Sequence, residues 1–174
     1  CTDTPEGAAA VVERTLLVLF EERGLTFGAA ESCTGGTVCQ RITALPGASS
    51  VLQGGIVSYS NAVKAEVLGV EQEILDTFGA VSEECAAQMA QGALRSLGCD
   101  VAVSVTGIAG PDGGTLEKPV GTVCFAVSCA GGETRTCTEH YRSGLTRERI
   151  RRLASTKAMQ LAIAAVKETG AGEA

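Results

Sequence analysis

The sequence predicts an α/β fold: a three-layer α/β/α sandwich with a mixed, mostly parallel sheet of about five strands. Three observations carry that expectation. Short apolar runs alternate with helix-like segments, the pattern produced when parallel strands are joined by helical crossovers. The alternation ends in two strand-like runs joined by Ala130-Gly131-Gly132, a hairpin and therefore an antiparallel pair. Hydrophobic residues make up 45% of the 174 residues but aromatics only 3%, so Ala, Val and Leu must build a closely packed core. This length and this apolar content fit one compact domain and exclude wholesale disorder.

The first helix is expected over Pro5 to Arg23. Thr4 can cap it, Pro5 suits its first turn, and Gly24 ends it. Leu25 to Ala30 reads as the first strand. It runs into Glu31-Ser32-Cys33-Thr34-Gly35-Gly36 and a helix to about Leu45, stopped by Pro46-Gly47. Gly55 to Tyr59 reads as the second strand. Asn61 then caps a short helix over Ala62 to Leu68, closed by Gly69, and another short helix covers about Gln72 to Phe78. Ser82 starts a longer helix to Leu97, with Ala86, Met89, Ala90, Ala93, Leu94 and Leu97 on one face. Val101 to Val105 is the third strand. Val120 to Cys129 and Glu133 to Tyr141 form the hairpin. The last helix spans about Thr146 to Glu168, with Ile150, Leu153, Ala154, Ala158, Leu161 and Ala165 facing the core.

Charge and composition exclude several functions. Fourteen basic against 20 acidic side chains give a net charge of -6, which argues against general nucleic-acid binding. Aromatics are too few for a single-strand stacking platform. No apolar run approaches the ~20 residues of a membrane span, so no membrane partner is expected. Cys1 to Glu6 has neither the basic nor the apolar region of a signal peptide, and the expected compartment is the cytoplasm. The eight cysteines, at 1, 33, 39, 85, 99, 124, 129 and 137, include no Cys-x-x-Cys pair, and His140 is the only histidine. A structural zinc site is therefore not expected, and most of these cysteines are read as small buried hydrophobes.

In sheets of this kind the ligand crevice lies at the carboxyl ends of the parallel strands. The exits of the first three strands carry Ser32, Tyr59 and Thr106. A strand-to-helix turn exposes backbone N–H groups at a helix N-terminus, which suits an oxyanion or anion. Ser32 there can be a nucleophile. The plainer reading makes Ser32 or Thr34 a helix cap and the glycines packing devices. With His140 late in the last strand, a Ser-His-Asp triad is not expected, and a neutral lysine is the alternative base. Lys64 is the candidate, because the helix start and burial would both disfavour its charge; a solvated surface lysine is the competing reading. Tyr59 could pass a proton between Ser32 and Lys64, or simply sit at the boundary with its hydroxyl in water. Cys33 is a second candidate nucleophile, since a helix N-terminus can lower a thiol pKa.

The Gly-rich loop from Gly107 to Gly114 could approach a ligand with its backbone, but it lacks dinucleotide and triphosphate signatures. Late in the chain Arg142, Arg147, Arg149, Arg151, Arg152 and Lys157 form a basic stretch, part of it a solvated helix face. Arg147, at the helix start, is the one best placed to meet a phosphate.

Three segments together resemble one family. Ala30-Glu31-Ser32-Cys33-Thr34-Gly35-Gly36, the stretch from Gly54-Gly55-Ile56 through Tyr59-Ser60-Asn61 to Lys64, and Val105-Thr106-Gly107-Ile108-Ala109-Gly110-Pro111 with Lys118-Pro119-Val120-Gly121-Thr122-Val123 look like the CinA C-terminal domain. This is the family of nicotinamide-nucleotide amidases, and the likeness covers about Pro5 to Ala165. It implies one amidase domain over residues 1–174, with its core at about 5–168. It implies hydrolysis of the carboxamide of nicotinamide mononucleotide to nicotinate mononucleotide and ammonia, with no cofactor or metal and a small nucleotide as partner. By the resemblance Ser32 is the nucleophile, Lys64 the base and Tyr59 their neighbour. Cys33, Thr34, Gly35, Gly36, Thr106, Gly107 and Arg147 fall around the substrate. The family's arginine follows a Gly-Asp pair, whereas here the run is Gly144-Leu145-Thr146-Arg147, which keeps Arg142 and Arg149 as alternatives. Longer members carry a further N-terminal domain, so the amidase half alone is expected here. A non-catalytic nucleotide-binding module, or a Ser-Lys amidase on another substrate, are the rival readings, and homo-oligomer formation is left open.

Overall fold

The structure, a computed structural model, describes residues 5–169, with side chains described from Val11 to Glu168. The elements run α1 (Pro5–Arg23), β1 (Phe27–Glu31), α2 (Thr37–Thr43), a 3-10 turn (Ala48–Ser50), β2 (Leu52–Val57), α3 (Asn61–Leu68), α4 (Gln72–Thr77), α5 (Glu83–Leu97), β3 (Val101–Gly107), β4 (Thr122–Cys129), β5 (Thr134–His140) and α6 (Arg147–Thr169). The expected Thr4 cap lies outside the described residues.

The five strands lie in the order β2-β1-β3-β4-β5. β1 pairs parallel with both β2 and β3, and β4 runs antiparallel to β3 and β5, so β4 alone opposes the other strands. The alternation of side chains along each strand sorts the core into two layers. Phe27 and Ala29, Val101, Val103 and Val105, and Val123, Phe125 and Val127 pack with α1, α2 and α6. Ala30 and Ala102 face the other way, against Cys85, Met89 and Ala93 of α5 and Leu68 of α3. The α5 face of the sheet is built from small residues, and the helix sits close. A Cβ on Gly28 would lie 2.7 Å from Leu97 Cδ1, and Ser104 Oγ donates to the Ala86 carbonyl at 2.6 Å. That close approach is the physical counterpart of a composition with so few aromatics.

Several boundaries differ from expectation. β2 starts at Leu52 and stops at Val57, because its parallel ladder with β1 runs from Phe27↔Leu52 to Glu31↔Val57. Ser58 and Tyr59 therefore leave the sheet and enter the loop before α3. β3 runs two residues beyond Val105, to Gly107, because β4 keeps pairing as far as Gly107↔Val123. The cap of α3 is Ser60, not Asn61: Ser60 is extended (φ -92°, ψ 158°) and its Oγ accepts from Val63 N. Asn61 is instead the first helical residue. Ser82 caps α5 as expected, accepting from Cys85 N.

Candidate active site

Strand alternation delivers the first group. Phe27 and Ala29 point toward α2, and Glu31 follows them, so Ser32, one residue on, turns to the opposite side, where α3 lies. Ser32 N is anchored on the Val105 carbonyl at 2.9 Å. The Ser60 cap starts α3 so that Lys64 N makes the first intrahelical bond, to the Ser60 carbonyl, and its side chain runs inward. Lys64 Nζ donates to Ser32 Oγ at 3.0 Å and to the carbonyls of Ser58 and Tyr59 at 2.7 and 3.4 Å. Lys64 is only 1% exposed and Ser32 only 8%.

Burial pushes the Lys64 amine below the ordinary lysine value of 10.5, against a smaller opposing influence of the Cys85 and Cys33 thiols. Of the two causes expected from the sequence, the helix start and burial, loss of hydration is the dominant one. Among the described residues no carboxylate accepts from this amine, so two carbonyls and a hydroxyl, and no opposite charge, face it. A buried lysine without an ion-pair partner, facing a serine hydroxyl, is suited to accept that hydroxyl's proton.

The turn after Ser32 closes through Gly35 N donating to the Ser32 carbonyl at 3.1 Å. Gly35 (φ +58°) and Gly36 (φ +95°) both sit in left-handed backbone that other residues enter only with strain. Here one expectation is corrected. The amides at the start of α2 do not face an external anion, because the buried Glu31 carboxylate already takes them. Its Oε2 accepts from Gly36 N at 3.0 Å and Val38 N at 3.1 Å, and its Oε1 from Cys39 N at 3.1 Å. The Gly36 amide is thus committed within the fold. Among the described residues, no carbonyl or carboxylate accepts from the N–H groups of Cys33 and Thr34; the Cys33 N–H has only its own thiol beside it. Thr34 is fully buried, whereas Cys33 keeps 5% exposure. The Cys33 amide follows the serine directly, the position that supplies an oxyanion donor at a nucleophile turn.

The Cys33 thiol packs in the core, and burial pushes its pKa up to about 12, outweighing the smaller lowering influences of its own backbone N–H, Arg147 and Arg151. It stays protonated, opposite to the lowered thiol pKa considered from the sequence.

Tyr59 is 63% exposed, and its hydroxyl accepts from Arg147 Nη2 at 3.2 Å. The relay between Ser32 and Lys64 considered from the sequence is not formed: Lys64 reaches Ser32 directly, and the tyrosine contacts it only through its backbone carbonyl. Arg147 Nη1 also donates to the Gly110 carbonyl at 2.8 Å. This one side chain therefore links the loops after β2 and β3 to the start of α6, a role neither Arg142 nor Arg149 takes. Thr106 is not turned to the crevice. It is buried, and its hydroxyl donates to the Ala80 carbonyl at 2.7 Å, tying the end of β3 to the loop before α5. At Gly107 a Cβ would lie 2.7 Å from Val123 Cγ2 and 2.9 Å from the Thr122 carbonyl, so strand packing alone requires glycine there. His140 stands at the end of edge strand β5, where its Nδ1 lies 3.3 Å from Thr122 Oγ1. Among the described residues no three His, Cys, Asp or Glu side chains gather into a set that could hold a metal ion.

Two residues that shape the site were not singled out in the sequence. Glu31 stands in the sequence only as the first residue of the Glu31-to-Gly36 segment, with no role of its own. Its distance from the amides it binds matches no local capping pattern, and only the fold of the glycine turn brings them together. Arg151 was one of several arginines on a helix face. Its signal was the i,i+4 spacing from Arg147, which puts both on one side of α6. Its Nε donates to the Cys33 carbonyl at 3.1 Å and its Nη2 to the Thr34 carbonyl at 2.8 Å.

Comparison with known proteins is consistent with this architecture. A family model, the CinA C-terminal domain, matches residues 9–166. A CinA-like protein of Geotalea uraniireducens is 49% identical over 149 residues, covering 85% of this chain and 34% of that protein. The chain spans about a quarter to a third of the length of such curated relatives, 26% in one case and 34% in another. Among solved structures, the competence/damage inducible protein CihA from Agrobacterium tumefaciens superposes with a TM-score of 0.87 at 41% identity, covering 90% of this chain and 94% of that one. A CinA superfamily protein from Klebsiella pneumoniae gives a TM-score of 0.87 at 30% identity, with coverage of 92% and 98%. Among the described residues, no helix is long and apolar enough to cross a membrane.

Proposed function

The chain belongs to the CinA C-terminal domain family, and from that premise we propose that it is an amidase that hydrolyses the carboxamide of nicotinamide mononucleotide. The observation that carries the chemistry is the buried Lys64 amine, 3.0 Å from the Ser32 hydroxyl, without a carboxylate partner. In this reading neutral Lys64 takes the Ser32 proton as Oγ attacks the carboxamide carbon. The carbonyl oxygen becomes an oxyanion beside the Cys33 N–H. Protonated Lys64 then gives its proton to the departing nitrogen. The C–N bond breaks, ammonia leaves, and a nicotinoyl ester remains on Ser32. Water, deprotonated by Lys64, cleaves that ester to release nicotinate mononucleotide and restore Ser32. Arg147, with Tyr59 against it, is assigned the 5′-phosphate, since a guanidinium has five donors and only two of its nitrogens are engaged here.

The test is ammonia release from nicotinamide mononucleotide, plain nicotinamide and glutamine by the purified chain. Turnover of the nucleotide alone supports the reading. Turnover of another amide instead keeps the Ser-Lys chemistry and discards the substrate. Tight nucleotide binding without ammonia release favours a non-catalytic binding module.

A further inference from the structure

We propose that Arg151 is a positioning residue that holds the nucleophile turn in the geometry needed to stabilise an oxyanion. The proposal rests on the reading of Ser32 as nucleophile and goes beyond it by assigning a group outside the dyad. Arg151 reaches across from α6, more than a hundred positions away in sequence, and grips two successive carbonyls of the turn, those of Cys33 and Thr34, at 3.1 and 2.8 Å. Its Nη2 also lies 3.3 Å from Thr37 Oγ1, the first residue of α2.

The geometry of the peptide unit explains why this matters. In a trans peptide the C=O and the following N–H point in opposite directions. Each carbonyl held by Arg151 fixes the plane of one peptide in the turn. The peptide before them is fixed by the Gly35 N to Ser32 carbonyl bond. With all three planes set, the Cys33 N–H and the Ser32 Oγ keep one relative direction. The turn needs such a restraint, since two of its residues are left-handed glycines that allow wide backbone freedom. Glu31 secures the α2 side of the same turn through three amides, and Arg151 secures its carbonyls. These five bonds to charged groups are stronger than neutral ones and hold the donor without taking part in the chemistry. A cation on the carbonyls also polarises the peptide N–H groups beyond them. A Cβ at Gly35 would lie 3.3 Å from Arg151 Nη2, so the guanidinium lies directly against the turn.

The experiment measures covalent labelling of Ser32 by a fluorophosphonate, followed by intact mass, beside ammonia release from nicotinamide mononucleotide. Labelling places a phosphoryl oxygen where the oxyanion would form and does not depend on the natural substrate. Arg151→Ala is expected to label about tenfold to a hundredfold more slowly. Its kcat should fall by a similar factor with KM little changed. Guanidinium ion at millimolar concentration should restore part of the labelling rate in Arg151→Ala, and methylammonium should not. Arg151→Lys, which keeps the charge but not the fork, is expected to fold and to label at an intermediate rate. Labelling of folded Arg151→Ala or Arg151→Lys at the wild-type rate overturns the proposal. So does a wild-type Ser32 inert to the probe, which removes the nucleophile reading with it. Wild-type protein that labels but leaves the nucleotide intact discards the substrate alone, and the variant rates still decide the role of Arg151.

Discussion

The Tyr59 hydroxyl accepts a hydrogen bond from Arg147 Nη2 at 3.2 Å, so an exposed aromatic ring and a guanidinium act as a pair beside the Ser32–Lys64 dyad. The phenol has no hydrogen bond to either member of the dyad, and in the proposed reaction its part is to hold Arg147. Tyr59→Phe is therefore expected to raise KM for nicotinamide mononucleotide a few-fold while leaving most of kcat. Arg147→Ala should raise KM further and erase the preference for the nucleotide over its dephosphorylated nucleoside. Steady-state kinetics on the two substrates check this. A loss of kcat in Tyr59→Phe as large as that in Ser32→Ala would return the tyrosine to the proton path.

Cys33 adjoins Ser32, the proposed nucleophile, but carries a thiol pushed up to about 12 by burial. It should resist iodoacetamide at pH 8 in the folded protein, because the thiolate is the reactive form. Cys33→Ala should keep turnover within a few-fold of the wild type, since only its backbone N–H serves the site. Ser32→Ala should abolish turnover. The reverse result, with Cys33→Ala inactive and Ser32→Ala active, would move the nucleophile to the thiol.

Lys64 bears a cost that the proposed role as base would explain. Its folded-state pKa lies below the unfolded value of 10.5. Below its folded-state pKa the lysine is charged in both states, and the full burial penalty applies. The penalty fades as pH rises from there to the ordinary lysine value, and stability rises with it. Lys64→Met should thus be at least as stable as the wild type at neutral pH, by thermal melting, while losing about a hundredfold or more in kcat. A marked loss of stability at neutral pH would show that the charged amine holds the fold together.

Asp100 joins the starts of β1 and β3. Its Oδ2 accepts from Thr26 Oγ1 at 2.6 Å and from Thr26 N at 2.8 Å, and its own N–H donates back to Thr26 Oγ1 at 3.0 Å. These bonds hold its carboxyl below the ordinary value of 3.8. Glu83, bonded by the hydroxyls of Thr136 and Thr138, is lowered in the same way. A depressed carboxylate contributes stability that is fully present above its unfolded pKa and is lost as pH falls through the folded value. Asp100→Asn should therefore have a lower Tm than wild type at pH 7, with the gap closing below about pH 4. A gap independent of pH would assign the effect to shape rather than charge.

The layers, the hairpin and the Ser32 and Lys64 positions could be read from sequence because each has a local cause. Apolar periodicity marks the helices, and the glycine pair Gly35-Gly36 marks the turn. What escaped depends on contacts between distant segments. The ends of β2 and β3 are set by how far β1 and β4 extend beside them. Thr106 has the same residue type and strand-exit position as a ligand contact. Only the packing of the loop before α5 reveals that its hydroxyl belongs to the Ala80 carbonyl. Glu31 and Arg151 bind backbone atoms, and backbone atoms leave no side-chain signature in the partner sequence. That the amides at the α2 start are closed to an external anion follows from Glu31 alone.

The central claim is that a neutral, buried Lys64 activates Ser32, and the pH dependence of kcat/KM for ammonia release tests it most directly. The expected profile rises with pH on one ionisation below the ordinary lysine value of 10.5, in the direction that burial drives this amine. The residual activity of Lys64→Met should lack that rise, and Lys64→Arg should not recover it, because arginine stays charged. A Lys64→Met profile with the same rise and comparable amplitude, or an active Lys64→Arg, would contradict the account.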